Sequence, residues 1–127
     1  MPTLVTNGIE IMVVPKFNPS ESDVLLERFV FGYAVRITNL NTFAVRLLKR
    51  RWEIFDSLGT IHEVQGNGVI GQQPLIEPGQ VHQYESWAFI KSEVGEMHGA
   101  YLMEKEDEDT FWVDIPAFEL IYPGKLN

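Results

Sequence analysis

The sequence predicts an all-β chain, a single domain built as an antiparallel β-sandwich of about seven to eight strands. Three observations lead there. Apolar residues recur with a period of two rather than 3.6. Short turn signatures separate the runs. No window carries an amphipathic helix, and Glu21 to Leu26 offers one turn at most.

Taken in order, Ile9, Ile11, Val13 and then Phe17 alternate with Glu10, Met12, Val14 and Lys16. Phe29, Phe31, Tyr33, Val35 and Ile37 form one strongly apolar face of the next strand, opposite Val30, Gly32, Ala34, Arg36 and Thr38. From Ala44 to Phe55 the apolar face changes phase near Leu47-Leu48, which predicts a bulge after which Trp52 and Ile54 point inward. Weaker strands are expected at Ile61 to Gln65, Gln80 to Ile90 and Met97 to Glu104. Phe111, Val113 and Ile115 oppose Trp112 and Asp114, and Phe118, Leu120 and Tyr122 resume the pattern after Pro116-Ala117. Asn18-Pro19-Ser20, Asn39-Leu40-Asn41, Ser57-Leu58-Gly59, Pro78-Gly79 and Asp107-Glu108-Asp109 supply the turns. An inward Trp52 suits an immunoglobulin-like core; a partly open barrel is the alternative architecture.

The 127 residues suit one domain with a real hydrophobic core, here expected over about residues 9–122. The chain has no cysteine, which excludes disulfides, zinc–thiolate sites and thiol nucleophiles. Its N-terminus has no basic segment followed by an apolar run, and no stretch approaches the ~18 apolar residues of a membrane helix. A soluble, cytoplasmic protein is expected. The net charge of −8 argues against general binding to nucleic acid or anionic membranes, which relies on many cations. The charge is uneven: Arg28, Arg36, Arg46, Lys49, Arg50 and Arg51 precede Trp52 without an intervening acid, whereas Glu93 to Glu119 carries nine acids and one base, Lys105. This describes either solvated strand faces or a local surface that accepts a small anion.

The segment Val64-Gln65-Gly66-Asn67-Gly68-Val69-Ile70-Gly71-Gln72-Gln73-Pro74 contains a literal G-x-G-x-x-G. A dinucleotide site needs a helix after those glycines, and Pro78 stops one from forming. Two readings remain. Gly66, Gly68 and Gly71 permit a bulge or sharp corner, or successive N–H groups make an anion nest supported by Arg50 or Arg51. On the second reading Gly66, Asn67, Gly68, Gly71, Arg50 and Arg51 are the candidate ligand-binding residues.

Other chemistry is not nominated. His62, His82 and His98 fall on three different strands without ligand spacing, so no metal or cofactor is expected. The run Glu104 to Asp109 lacks the glycine and spacing of a calcium loop and reads as a solvated hairpin end. No G-x-S-x-G or serine–histidine–acid set is visible, so catalytic residues are expected to be none. Trp87 and Trp112 are expected to be buried, with exposed anchoring of a partner as the alternative.

The order of these motifs resembles the bacterial ApaG family. The resemblance rests on Arg28 to Asn39, Val45 to Ile54, the pattern VQGxGVxGxQPxIxPG at residues 64–79, Gly95-Glu96-Met97-His98-Gly99-Ala100-Tyr101 and Ile115-Pro116-Ala117-Phe118. It implies a fibronectin type III or immunoglobulin-like sandwich. Asn67 stands where an acidic residue is frequent in the family, which weakens a metal role for that loop. The family is linked to a cobalt–magnesium resistance phenotype, though a domain without a membrane span is not itself a transporter. Related domains in eukaryotic adaptor proteins imply protein binding.

The leading expectation is therefore a non-catalytic binding or protein-interaction module. The alternative is a sensor for a phosphate-containing small ligand, pyrophosphate or a dinucleoside polyphosphate, at the Gly66 to Gly71 loop. Monomer and homodimer both fit.

Overall fold

The computed structural model describes residues 1–126, with side chains described to residue 124. Among the described residues there are nine strands: β1 (Thr3–Thr6), β2 (Ile9–Phe17), β3 (Phe29–Asn39), β4 (Val45–Asp56), β5 (Ile61–Asn67), β6 (Leu75–Ile76), β7 (Val81–Ile90), β8 (Val94–Glu104) and β9 (Thr110–Ile121). A 3₁₀ turn at Pro123–Leu126 follows. The strands form two antiparallel sheets in the orders β1-β2-β3-β7 and β5-β4-β8-β9, with β6 pairing the start of β4. This is the expected sandwich. Among the described residues no helix is long and apolar enough to cross a membrane.

The seven long strands lie where the alternation places them; the two additional ones are short. β1 is exposed on both faces, so it carries no apolar alternation to reveal it, and it pairs with β2 across an Asn7-Gly8 turn. β6 contributes only two residues.

Alternation decides the core. Ile9, Ile11 and Val13 of β2 and Phe29, Phe31, Tyr33, Val35 and Ile37 of β3 are all buried. They face Val45, Leu47, Trp52 and Ile54 of β4 together with Met97, Tyr101, Met103, Val113, Ile115, Phe118 and Leu120 of β8 and β9. Trp52 is the hub. Its indole meets Tyr33, Phe118 and Tyr101 edge-on, with ring centroids 5.3, 5.9 and 6.4 Å away.

The predicted bulge in β4 is present. Leu47 pairs with Met103, but Lys49 pairs with Leu102, leaving Leu48 as the extra residue. Before it the odd-numbered residues face inward; after it Trp52, Ile54 and Asp56 do. A second bulge lies in β9. Gly99 pairs with Ile115 and Met97 with Phe118, so Pro116 and Ala117 are spanned by a single residue of β8. A bulge is where a sheet tolerates proline, because the missing N–H costs no ladder bond there. The apolar phase on either side of it is therefore one continuous strand.

The two sides of the sandwich differ. On one side β1 and β2 pack against β9. On the other side the sheets end in β7 and β5, each paired with only one neighbour. A cleft separates these two free edges.

Candidate functional site

The glycine-rich segment is anchored by the β4 bulge. Leu48, displaced from regular pairing, offers its carbonyl to Gly68 N–H at 2.8 Å and to Gln73 Nε2 at 3.0 Å. Arg46 Nη1 adds a bond of 2.7 Å to the Gln73 carbonyl. Beyond Gly68 the chain makes a tight turn in which Val69 and Gln72 exchange N–H···O bonds of 2.8 and 3.0 Å. Ile70 and Gly71 fill its two central positions at φ +48° and +72°, the signature of a type I′ turn. Gly68 is required on two counts. Its φ is +61°, and a Cβ there would lie 2.0 Å from the Gln72 carbonyl oxygen. Val69, next to it, is buried and caps one end of the open side of the sandwich.

Arg50 and Arg51 part company at this point. Arg50 pairs with Gly66 across β4 and β5, in the same inward phase as Trp52. Its guanidinium lies over Gly66 and its Nη1 donates to the carbonyls of Asn67 and Gly68, both at 3.0 Å. Arg51 points to the outer face of its sheet, 4.8 Å from the centre of the Trp112 ring. The structure thus brings Gly66, Asn67, Gly68 and Arg50 together, with Gly71 in the adjoining turn and Arg51 elsewhere. Alternation carries the signal: Arg50 lies two residues before Trp52 and Arg51 only one. The other cations of the basic stretch are dispersed too, with Arg28 over Phe89 at 4.5 Å and Arg46 on Gln73.

Behind Arg50 lies a cluster of phenols. Tyr33, Tyr84 and Ser86 line, with Arg50, a small polar cavity of about 150 Å³ beneath the Val69–Gly71 turn. Tyr33 and Ser86 sit opposite each other on β3 and β7. Tyr84 shares a hydrogen bond with Tyr101 of the opposite sheet. Burial pushes the pKa of all three phenols up, and the Arg50 charge offsets this only in part.

The polar cavity adjoins the cleft between β5 and β7, a volume of about 430 Å³. The two spaces share Tyr33, Arg50, Trp52 and Ser86. Away from Arg50 the walls are mainly apolar, with Ile54 and Met97 on one and Ala88 and Ile90 on the other, and the exposed side chains of His62 and Lys91 also border the cleft. Val64 stands at its mouth on β5. Nothing in the local sequence marks this cleft, because its walls come from strands of different sheets.

Two expectations of burial are overturned. Trp87 and Trp112 are exposed, at 61% and 41%. Trp87 lies in a continuous apolar run, Trp87-Ala88-Phe89-Ile90, whose inward phase is taken by Ala88 and Ile90. Trp112 likewise alternates with the buried Val113. The histidines lie on β5, β7 and β8, and His98 pairs with Glu53 at 3.2 Å on the outer face. No group of three or more histidines and carboxylates able to hold a metal ion is found among the described residues. The acidic run Glu104 to Asp109 forms the β8–β9 hairpin end, as expected.

Comparison with known proteins agrees with the motif order. The family model for the ApaG domain matches residues 19–105. Protein ApaG of Anaeromyxobacter dehalogenans is 43% identical over 127 residues, covering all of both chains. Protein ApaG of Sinorhizobium fredii is 45% identical over 123 residues, covering 97% of this chain and 95% of its own. The crystal structure described as the ApaA protein from Bordetella pertussis superposes with a TM-score of 0.87 at 35% identity, covering 96% of each chain. With the glycine-rich loop in place on a two-sheet sandwich and full-length relatives above 40% identity, the chain belongs to the ApaG family.

Proposed function

We propose that this chain is a non-catalytic interaction module that binds a protein partner through the free edge of β7. One observation carries the reading. β7 is an edge strand of ten residues without proline or a bulge, and it presents Trp87 and Phe89, 61% and 40% exposed, on its outer face. Long apolar edges are normally blunted, because unpaired N–H and C=O groups recruit another strand. Exposed tryptophan is the residue type most enriched at binding hot spots. Addition of a partner strand to β7 would satisfy the backbone edge and cover the aromatic ridge together. The sandwich, read as immunoglobulin- or fibronectin type III-like, serves as a rigid support. Residence in the cytoplasm fits the absence of cysteine.

Affinity capture from cell lysate tests this, comparing wild type with Trp87→Ser and with Trp112→Ser on the other sheet. The expected result is a protein retained by wild type and by Trp112→Ser and lost from Trp87→Ser. Capture that survives Trp87→Ser, or no specific capture at all, would overturn the reading.

A second reading, a sensor for pyrophosphate or a dinucleoside polyphosphate, is favoured by the position of Arg50 beside the glycine loop. Against it, the N–H groups of Gly68, Val69 and Gln72, which a phosphate nest would need, are engaged within the protein. Amide shifts of Gly66, Asn67, Gly68 and Gly71 during titration with pyrophosphate or diadenosine tetraphosphate, with and without magnesium or cobalt, decide it. Unmoved amides at millimolar ligand would sink it.

A further inference from the structure

We propose that the cleft between β5 and β7 is a binding site for an elongated organic monoanion, with its apolar body between the sheets and its carboxylate at Arg50. This site opens beside Trp87 and Phe89 of β7, but its ligand would be held between the sheets at Arg50 and does not require a protein partner.

The size is right for such a ligand. A volume of about 430 Å³ falls within the range of small-molecule pockets, which are mostly apolar with a few convergent polar groups. The lining separates along the strand direction. Trp52, Ile54, Met97, Ala88 and Ile90 provide apolar walls; Arg50, Tyr33 and Ser86 stand at one end, and the exposed Lys91, five residues beyond Ser86, borders the other. Arg50 and Ile54 are four residues apart on one extended strand, about 13 Å. Head and body of the ligand must therefore be separated by several carbon atoms.

Two cations border the cleft, the exposed Lys91 and the half-buried Arg50, and the one less screened by water selects the head group. Among the described residues no carboxylate lies in ion-pair range of Arg50. Its guanidinium therefore brings an uncompensated positive charge to a half-buried place. One negative charge would neutralise it, and a carboxylate can accept from a guanidinium and a hydroxyl together. A doubly charged phosphate would leave an excess negative charge among phenols that burial keeps neutral. A second depression of about 610 Å³, beside Lys16 and Phe17, makes a useful contrast. It carries the carboxylates Glu96 and Glu119 against a single cation and offers an organic anion no such match.

The test is an NMR titration of ¹⁵N-labelled protein with 4-phenylbutyrate and with 4-phenyl-1-butanol, which keeps the body and removes the charge. The acid should shift the amides of Ser86 to Ile90 and the Trp52 indole N–H saturably, and bind at least ten-fold tighter than the alcohol at neutral pH. Arg50→Gln should lower the acid to the affinity of the alcohol and leave the alcohol unchanged. Because Arg50 also holds the glycine loop, Tyr33→Phe provides a second reading: several-fold weaker acid, unchanged alcohol. Val64→Trp, which fills the mouth from an exposed position, should abolish both. Equal binding of acid and alcohol would overturn the assigned head group. Absence of saturable shifts in these residues, or acid binding indifferent to Val64→Trp, would overturn the site. The cleft and the capture surface meet at Trp87 and Phe89, and Arg50→Gln, which leaves both of those side chains in place, separates the two results.

Discussion

The hydroxyl groups of Tyr84 and Tyr101 hydrogen-bond to each other across the sandwich, tying β7 of one sheet to β8 of the other. Tyr84 also lines the small cavity with Arg50 and Tyr33, so the link stands within the phenol cluster. Tyr101 is fully buried, so its hydroxyl has no recourse to water.

Removing either hydroxyl alone should be costly, because it strands the other. Tyr101→Phe keeps the ring packing against Trp52 and leaves the Tyr84 hydroxyl without its partner in a largely buried place. A loss of about 1–3 kcal/mol is expected, read from urea unfolding midpoints. Tyr84→Phe with Tyr101→Phe together should cost less than the sum of the single changes, since neither phenol is then stranded.

The same cluster sets an alkaline limit. Burial raises the pKa of Tyr33, Tyr84 and Tyr101 above the ordinary phenol value of 10.0, so the folded state holds protons that the unfolded state releases. Their contribution to stability is complete below about pH 10 and is lost as pH rises through the folded-state values. Unfolding midpoints should fall from about pH 10 upward, with tyrosinate absorbance rising together with unfolding for these three residues. Ionisation of these three at about pH 10 while the protein stays folded would contradict this.

The glycine loop makes a paired prediction. Gly68→Ala places a Cβ 2.0 Å from the Gln72 carbonyl at φ +61°, whereas Gly71→Ala meets nothing within 4 Å at φ +72°. The second substitution carries only the left-handed penalty, about 1 kcal/mol. The first must also shift backbone and should cost clearly more, by about 2 kcal/mol or above. Thermal denaturation of the two variants side by side checks the order. Equal losses would mean that the turn relaxes freely.

Much of this was legible in the chain. The phase change at Leu47-Leu48 announced the bulge, and the bulge in turn fixes which arginine faces inward, because Arg50 shares the phase of Trp52. The pairing of Gly66 with Arg50 was not legible, since it needs the β4–β5 register. Nor was the exposure of Trp87: in a run apolar at every position, alternation does not say which residues turn outward. β1 escaped because both its faces are wet. The cleft is the least visible feature of all. Val64 and Ala88 become its opposite walls only after two sheets have formed and closed on the far side.

Asn39 offers a test of a buried polar residue that reads in sequence merely as part of a turn. It is fully buried, and its Nδ2 donates to the carbonyls of Phe43 at 2.8 Å and Ile76 at 3.0 Å while its Oδ1 accepts from Asn41 N–H at 3.0 Å. Asn39→Ala would strand three backbone groups, two of them carbonyls in partly or wholly buried positions. A loss of about 2–3 kcal/mol is expected. Asn39→Asp keeps the acceptor and loses both donations, so it should be no better than alanine at neutral pH. Chemical denaturation of the three proteins at one pH decides it.

Ile70 points the opposite way, toward a substitution that stabilises. It is a β-branched residue at φ +48°, in a two-residue turn where asparagine and glycine are preferred, and it is 60% exposed. Its side chain therefore secures little burial to offset a left-handed penalty of about 1–2 kcal/mol. Ile70→Asn relieves that penalty without the added unfolded-state entropy that glycine would bring. A gain of about 1 kcal/mol is expected, visible as a melting temperature higher by several degrees. An unchanged or lower melting temperature would show that Ile70 does more for the folded chain than its exposure suggests. A simultaneous loss of 4-phenylbutyrate binding would place its side chain at the polar end of the cleft, where it lines the small cavity with Arg50 and Tyr84.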